Sequence, residues 1–287
     1  MNKHSYIFQE VKKILGNPYH ESEYGLLYNE DCIKGMRLLP ESICDLTFTS
    51  PPYNIGKEYE KVLSIPSYIQ WCTQWMNLVH RVTSSYGSFW LNVGYLKIPN
   101  VGAAVPIPYL LWDKSPFYLN QEIVWNYGAG VACKYRLSPR NEKILWFTKN
   151  SDVYTFNLDA IRDPDVKYPN QKKNGKLRCN SLGKNPSDVW SIAKVTSGSN
   201  RMSPERTPHP AQTPIDLIKR IILGGSNTGD IIFDPFMGSG STAVAAMQNN
   251  RFYIGFEISE TYCKIAKERI TRVLNEMNNN LFNWPDI

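Results

Sequence analysis

The chain has 287 residues, 42% of them hydrophobic and 20% charged, and a net charge of +6. That balance excludes a disordered chain and supplies enough apolar side chains for a sizeable core. Apolar runs are short and broken by charge, and the opening MNKHSYIFQE has no apolar stretch, so neither a membrane span nor a signal peptide is expected and the protein reads as cytoplasmic.

Residues 1–24 read as a polar N-terminal arm with weak helical spacing of Ile7, Val11, Ile14 and Leu15. Residues 45–49 predict a short strand that stops at Ser50-Pro51-Pro52, where two prolines remove ladder donors. The spacing over 69–82 predicts a helix with Trp71, Trp75, Leu78 and Val82 on one face. Strands are expected at 87–93, 122–126 and 143–148, which closes a first unit at 25–150. From 151 to 208 the pattern dissolves into Pro, Asn, Ser, Gly and Lys. A last unit, 209–287, begins with a helix over 213–223, capped by Thr213 with Pro214 at its first position and Asp216 in its first turn. A strand at 230–234, a helix at 239–248, a strand at 252–257 and a helix at 260–277 follow. Strands alternating with helices predict an α/β fold with a mostly parallel sheet.

Charge is uneven along the chain. Residues 167–206 hold nine basic side chains against two acids, Asp188 and Glu205. Such a segment suits a polyanion, and Lys172, Lys173, Lys176, Arg178 and Arg201 are the candidate contacts. The cysteines (Cys32, Cys44, Cys72, Cys133, Cys179 and Cys263) form no CxxC pair, so no metal site and no disulfide framework is expected; each reads as a small buried hydrophobe.

Two motifs carry chemistry. Asp234-Pro-Phe-Met-Gly-Ser-Gly-Ser-Thr242 follows a strand and opens a helix, where an open α/β sheet binds nucleotide-like ligands. Gly238 and Gly240 permit close backbone approach. The loop has no Lys before Ser241-Thr242, as a phosphate loop requires, and Ala243 stands where a dinucleotide turn has its third glycine. Glu257, on the next strand, suits a ribose diol. A ribose without a pyrophosphate cradle fits S-adenosylmethionine better than NAD.

The second motif is Ser50-Pro51-Pro52-Tyr53, at another strand end. The lone pair of an exocyclic amine on a nucleobase is delocalised into the ring, so the nitrogen attacks poorly. Acceptors aimed at its two N–H groups draw it toward a tetrahedral geometry; Ser50 and a carbonyl of the proline pair can supply them, and Tyr53 offers a face for a base taken out of the stack.

Together these features resemble the amino-methyltransferases of bacterial restriction–modification systems, in the order called the β group: catalytic motif, target-recognition region, cofactor motif. The resemblance spans about residues 25–275 and implies a Rossmann-like S-adenosylmethionine-dependent methyltransferase fold, circularly permuted, with 151–208 as a small target-recognition insert. It implies that Asp31 and Cys32 contact the cofactor's adenine, that Asp234, Phe236, Gly238 and Gly240 line its methionine end, and that Ser241, Thr242 and Glu257 complete the site; Phe236 suits the sulfonium. Ser187-Asp188-Val189-Trp190 and His209-Pro210 resemble stretches that precede the cofactor motif. Serine at position 50 favours N4 of cytosine over N6 of adenine, and the absence of a Pro-Cys pair disfavours C5 chemistry. Double-stranded DNA is the expected partner; the family also suggests a homodimer and a cognate restriction endonuclease acting on the same site. Remaining readings are the N6-adenine enzyme, a relative acting on RNA or a protein glutamine, and a silent DNA-binding module.

Overall fold

A computed structural model describes residues 3–130, 132–196 and 203–282, with side chains as far as residue 279. The first half comprises α1 (Lys3–Leu15), β1 (His20–Ser22), β2 (Gly25–Asn29), α2 (Cys32–Leu38), β3 (Cys44–Thr49), α3 (Ile65–Val82) and β4 (Thr83–Val93). A hairpin of β5 (Tyr95–Ile98) and β6 (Gly102–Pro106) leads through α4 (Pro108–Leu111) to β7 (Tyr118–Asn126) and β8 (Asn141–Thr148). The irregular region contains a 3-10 turn at Leu158–Ile161, a hairpin of β9 (Lys172–Lys173) and β10 (Lys176–Leu177), and β11 (Val189–Ser191). Then come α5 (Ile215–Gly225), β12 (Ile231–Asp234), α6 (Ser241–Gln248), β13 (Phe252–Glu257) and α7 (Glu260–Phe282).

Nine strands form one sheet in the order β1-β2-β13-β12-β3-β4-β8-β7-β11. The run β2, β13, β12, β3, β4 is parallel throughout. β8 is antiparallel to β4 and to β7, and β11 adds in parallel to β7. Helices cover both faces. One cluster joins Ile7 and Val11 of α1, Met36 of α2 and Trp75 and Val79 of α3 to Phe89, Phe233 and Phe256 of the sheet. The other joins Leu217, Ile221, Val244 and Ile270 of α5, α6 and α7 to Phe48, Trp90 and Tyr253. Both faces of the central strands are therefore buried, as parallel strands require.

Several local expectations change. Residues 3–15 form a helix that packs on the sheet: Ile7, Phe8 and Val11 are buried, and the His4 ring stacks on Phe252 at 3.6 Å. Ile14, expected on the apolar face, is exposed. α3 starts earlier than its apolar spacing shows, because the Ser64 hydroxyl accepts from the Ser67 amide, and its fully buried face is Tyr68, Cys72, Trp75, Met76, Val79 and Val82, with Trp71 and Leu78 at the margin. Thr213 is not the cap of α5. Pro214 takes that position without a side-chain bond, and the Ile215 amide donates to Glu205 Oε1 at 2.8 Å. α6 begins at Ser241 because Gly240, at φ 80°, is still in the left-handed region. Within the apparently irregular segment, β11 extends the sheet through Trp190, which is buried.

Candidate active site

The carboxyl ends of the five parallel strands, of β7 and of β11, together with the start of β8, fall on one edge of the sheet. Connections leave β3 toward β4 and β12 toward β13, in opposite directions from the adjacent pair β12–β3. A crevice at such a switch point is where open α/β sheets bind ligands. Here it holds a cleft of about 1510 Å³ lined by Ser50 to Tyr53, Asp31, Cys32, Phe236, Gly238 and Glu257. Single-ligand pockets are usually about 300–1,000 Å³, so the cleft has room for two reactants.

Asp234 joins the two motifs. Its Oδ1 accepts from Thr49 Oγ1 at 2.7 Å and from the Phe236 amide at 3.0 Å, and its Oδ2 accepts from Thr242 Oγ1 at 2.5 Å. Burial pushes its carboxyl up to about 6 despite these bonds. With both oxygens engaged inside the protein, Asp234 fixes the loop geometry, and the Thr242 hydroxyl is spent on it. The Ser241 hydroxyl accepts from the buried Arg269 Nη1 at 2.8 Å and keeps its own proton to donate.

Ser50 sits in a network that links four elements. Its hydroxyl is 2.9 Å from the Tyr53 hydroxyl, which donates to Glu142 Oε2 at 3.0 Å. Asn92 Nδ2, from the end of β4, donates to Ser50 Oγ at 3.3 Å, Tyr53 OH at 3.0 Å and Glu142 Oε2 at 2.9 Å. Lys194, after β11, pairs with Glu142 Oε1 at 2.8 Å and stands 3.6 Å over the Tyr127 ring. An acceptor-only carboxylate beside Asn92 fixes which end of that amide faces it, leaving Asn92 Oδ1 buried with no partner among the described residues. Burial first, then the Glu142 charge, raises the Tyr53 phenol well above its usual value, so Tyr53 stays a donor. The Pro52 carbonyl accepts from Tyr68 OH at 3.0 Å, which tethers the loop to α3. The Tyr53 ring edge lies against Gly94, where an added Cβ would meet it at 3.1 Å.

On the other side of the cleft, Glu257 Oε2 accepts from the Gly238 amide and Oε1 from the Ser259 amide, both at 2.8 Å. Each oxygen keeps a further lone pair for a hydroxyl. Gly238, at φ 53°, lets the loop pass His209, whose Nε2 would lie 3.1 Å from an added Cβ. Burial pushes the His209 imidazole down to about 4, so it is neutral, and its ring packs edge-on to Tyr262 at 4.3 Å. Phe236 packs against Trp71 and Trp75 at 5.6 and 5.2 Å. Asp31 caps α2 through the Lys34 amide at 2.9 Å, and Cys32 is buried behind it. Gly240 turns away from the cleft toward α7, where an added Cβ would meet Ala266 at 3.1 Å.

The remaining candidates lie elsewhere. Lys172, Lys173 and Lys176 project from a two-residue turn in which Asn174 and Gly175 both have positive φ, and all three are exposed, as is Arg178. Arg201 lies outside the described residues. Cys32, Cys44, Cys72 and Cys263 are buried as expected, whereas Cys133 and Cys179, in loops, are only partly so. Sequence reasoning gives no site role to Asn92, Glu142, Lys194 or His209; the one available signal is Asn92, a polar residue that follows the apolar run Phe89-Trp90-Leu91 near the end of β4.

A profile described as DNA methylase (N6_N4_Mtase) matches residues 44–268. The Type II methyltransferase M.ScaI of Streptomyces caespitosus is 59% identical over 261 residues, 91% of this chain and 86% of that protein. The DNA adenine methyltransferase YhdJ of Escherichia coli is 31% identical over 87% of this chain and 83% of its own length. The fold is similar to that of the cytosine-N4-specific PvuII DNA methyltransferase, with a TM-score of 0.70 at 20% identity over 92% of this chain and 95% of that one. The matched span runs from β3 into α7 and includes both motifs of the cleft, and the chain belongs to the N6/N4 DNA methylase family.

Proposed function

We propose that this chain is a site-specific methyltransferase of a restriction–modification system that methylates N4 of cytosine in duplex DNA, protecting it from a cognate endonuclease. The observation that carries the reading is the 2.7 Å bond between Thr49 and Asp234, which holds the Ser50 loop and the glycine loop across one cleft. S-adenosylmethionine supplies a methyl group bound to a sulfonium. The residues suit it: Glu257 keeps lone pairs for a ribose, Gly238 gives backbone access, Asp31 and Cys32 border the adenine end, and Phe236 and Trp71 present rings toward a cation. Ser50 and the proline loop orient the amine of a flipped cytosine.

In this reading residues 25–150 and 209–287 are the two halves of a permuted catalytic domain and 151–208 reads the target. Lys172, Lys173, Lys176 and Arg178 hold phosphate or base edges. The SPPY serine supports cytosine; the similarity to a DNA adenine methyltransferase supports N6 of adenine as the second reading. Mass spectrometry of nucleosides from DNA incubated with the protein and labelled donor separates them. Labelled N4-methylcytosine is the expected product. Labelled N6-methyladenine would replace the base assignment, and unlabelled DNA from varied sequence would overturn the activity.

A further inference from the structure

We propose that Glu142 sets the direction of the hydrogen bonds in the catalytic motif and receives, through Tyr53 and Ser50, the proton that the target amine sheds. The inference rests on the proposed amine methylation but not on which base carries the amine.

Glu142 Oε2 can only accept, and it faces Tyr53 OH at 3.0 Å and Asn92 Nδ2 at 2.9 Å. Its other oxygen is held by Lys194 at 2.8 Å, so the carboxylate does not swing away. Tyr53 has one proton. Once it is directed to Glu142, the contact of 2.9 Å between the Tyr53 and Ser50 hydroxyls closes only with Ser50 as donor. Asn92 also donates to Ser50 Oγ, at 3.3 Å. Ser50 then has its own proton turned inward and a lone pair left for the cleft. Without Glu142 the Tyr53 proton is left to the Asn92 carbonyl at 3.2 Å or to Ser50; wherever Ser50 receives it, the Ser50 proton is free to point at the amine, which would oppose attack.

The same chain disposes of charge. As the amine nitrogen forms its bond to the methyl carbon, the carbon–sulfur pair leaves with sulfur as a neutral thioether and the nitrogen becomes positive. That nitrogen releases one proton to Ser50 Oγ. The Ser50 proton passes to Tyr53 OH, and the Tyr53 proton passes to Glu142 Oε2. The products are a neutral methylated amine, a thioether and a carboxylic acid that returns its proton to solvent between turnovers. A serine hydroxyl is too weak a base to keep the proton itself, so the motif with Ser at its first position needs an acceptor behind it. Glu142 is a positioning and relay residue that acts through Tyr53.

Glu142→Gln tests this. Its amide presents a donor either to Asn92 and Tyr53 or to Lys194, so the polarity of the chain is lost while the shape is kept. The single-turnover methylation rate at saturating donor and DNA should fall by about 10²–10⁴-fold, the range of general acid–base catalysis. Donor affinity, DNA affinity and Tm should stay near those of the unaltered protein. In Glu142→Ala, added formate should restore part of the rate where chloride at equal ionic strength does not. A rate for Glu142→Gln within about threefold of the original would overturn the proposal. So would a lower rate that follows weakened donor affinity or a lowered Tm, with no formate rescue, because Glu142 would then be a strut. N6-methyladenine as the product of the unaltered protein would correct the base and leave this comparison intact, since both amines shed the same proton.

Discussion

Asp234 shows how much a single residue of this site does through the protein rather than through a ligand. Its carboxyl sits at about 6 against an ordinary value of 3.8, because desolvation outweighs three hydrogen bonds. A folded-state value raised above the unfolded one means a contribution to stability that is full below pH 3.8 and is lost as pH rises through 6. At neutral pH the buried charge therefore costs about 3 kcal/mol, at 1.36 kcal/mol per unit. Asp234→Asn keeps Oδ1 for Thr49 and Phe236 and offers Nδ2 to the Thr242 hydroxyl. The variant should match the parent near pH 4 and gain stability relative to it as pH rises to 7. Urea unfolding at both pH values measures this, and a difference that does not change with pH would contradict the burial of a charged group. Ser50, Tyr53, Asp234 and Glu257 are legible in sequence because they sit in local motifs at strand ends, and all four line one cleft. Glu142 and Lys194 are illegible for the opposite reason: 52 residues separate them, and neither has a local pattern, so only the meeting of β8 with the segment after β11 gives them a role. Ser241 and Thr242 read as ligand contacts in sequence; both line the cleft, where their hydroxyls also bond Arg269 and Asp234.

At the scale of elements, α2 is the sharpest test of how packing positions the cleft. Its N-terminus presents Asp31 and Cys32, and Gly35 lets it lie directly on Phe256, the residue before Glu257. A Cβ at position 35 would stand 2.5 Å from the Phe256 ring, which is fully buried and confined by Tyr28 and Phe233. Alanine is favoured over glycine in a helix by about 1 kcal/mol, but overpacking a closed core costs about 1–3 kcal/mol. The clash wins, so Gly35→Ala should lower Tm by a few degrees and, by lifting α2 from β13, weaken donor binding. Calorimetric titration and a thermal melt check both; higher Tm with unchanged affinity would mean that Phe256 has room to move. Elements with a strong period or apolar run are readable in sequence: α3, α5, β12 and β13. β11 is not, because three residues at a sheet edge carry no periodic signal, and its identity comes from pairing with Val124 to Asn126 of β7. α1 reads as an arm because four apolar residues do not reveal what they pack against.

For the whole molecule the governing feature is where the charge lies. Nine basic against two acidic residues give 167–206 a charge of +7, so the rest of the chain sums to −1 within the net +6, and Lys172, Lys173 and Lys176 stand on a hairpin that buries none of them. That hairpin is well specified, since an Asn-Gly pair takes the positive φ values that a tight turn of this hand requires. An exposed, cationic tip that packs on none of the core separates binding from folding when its charge is removed. If the tip rests on DNA phosphates, Lys172→Gln, Lys173→Gln and Lys176→Gln combined should flatten the dependence of log affinity on log salt by about 0.9 for each phosphate no longer neutralised. Tm and donor affinity should not change, and the methylated sequence should stay the same because phosphate contacts position without specifying. Affinity measured from low to moderate salt on duplex DNA gives the slope directly. An unaltered slope would make the hairpin a solvated surface and move the DNA contact to other parts of the basic segment.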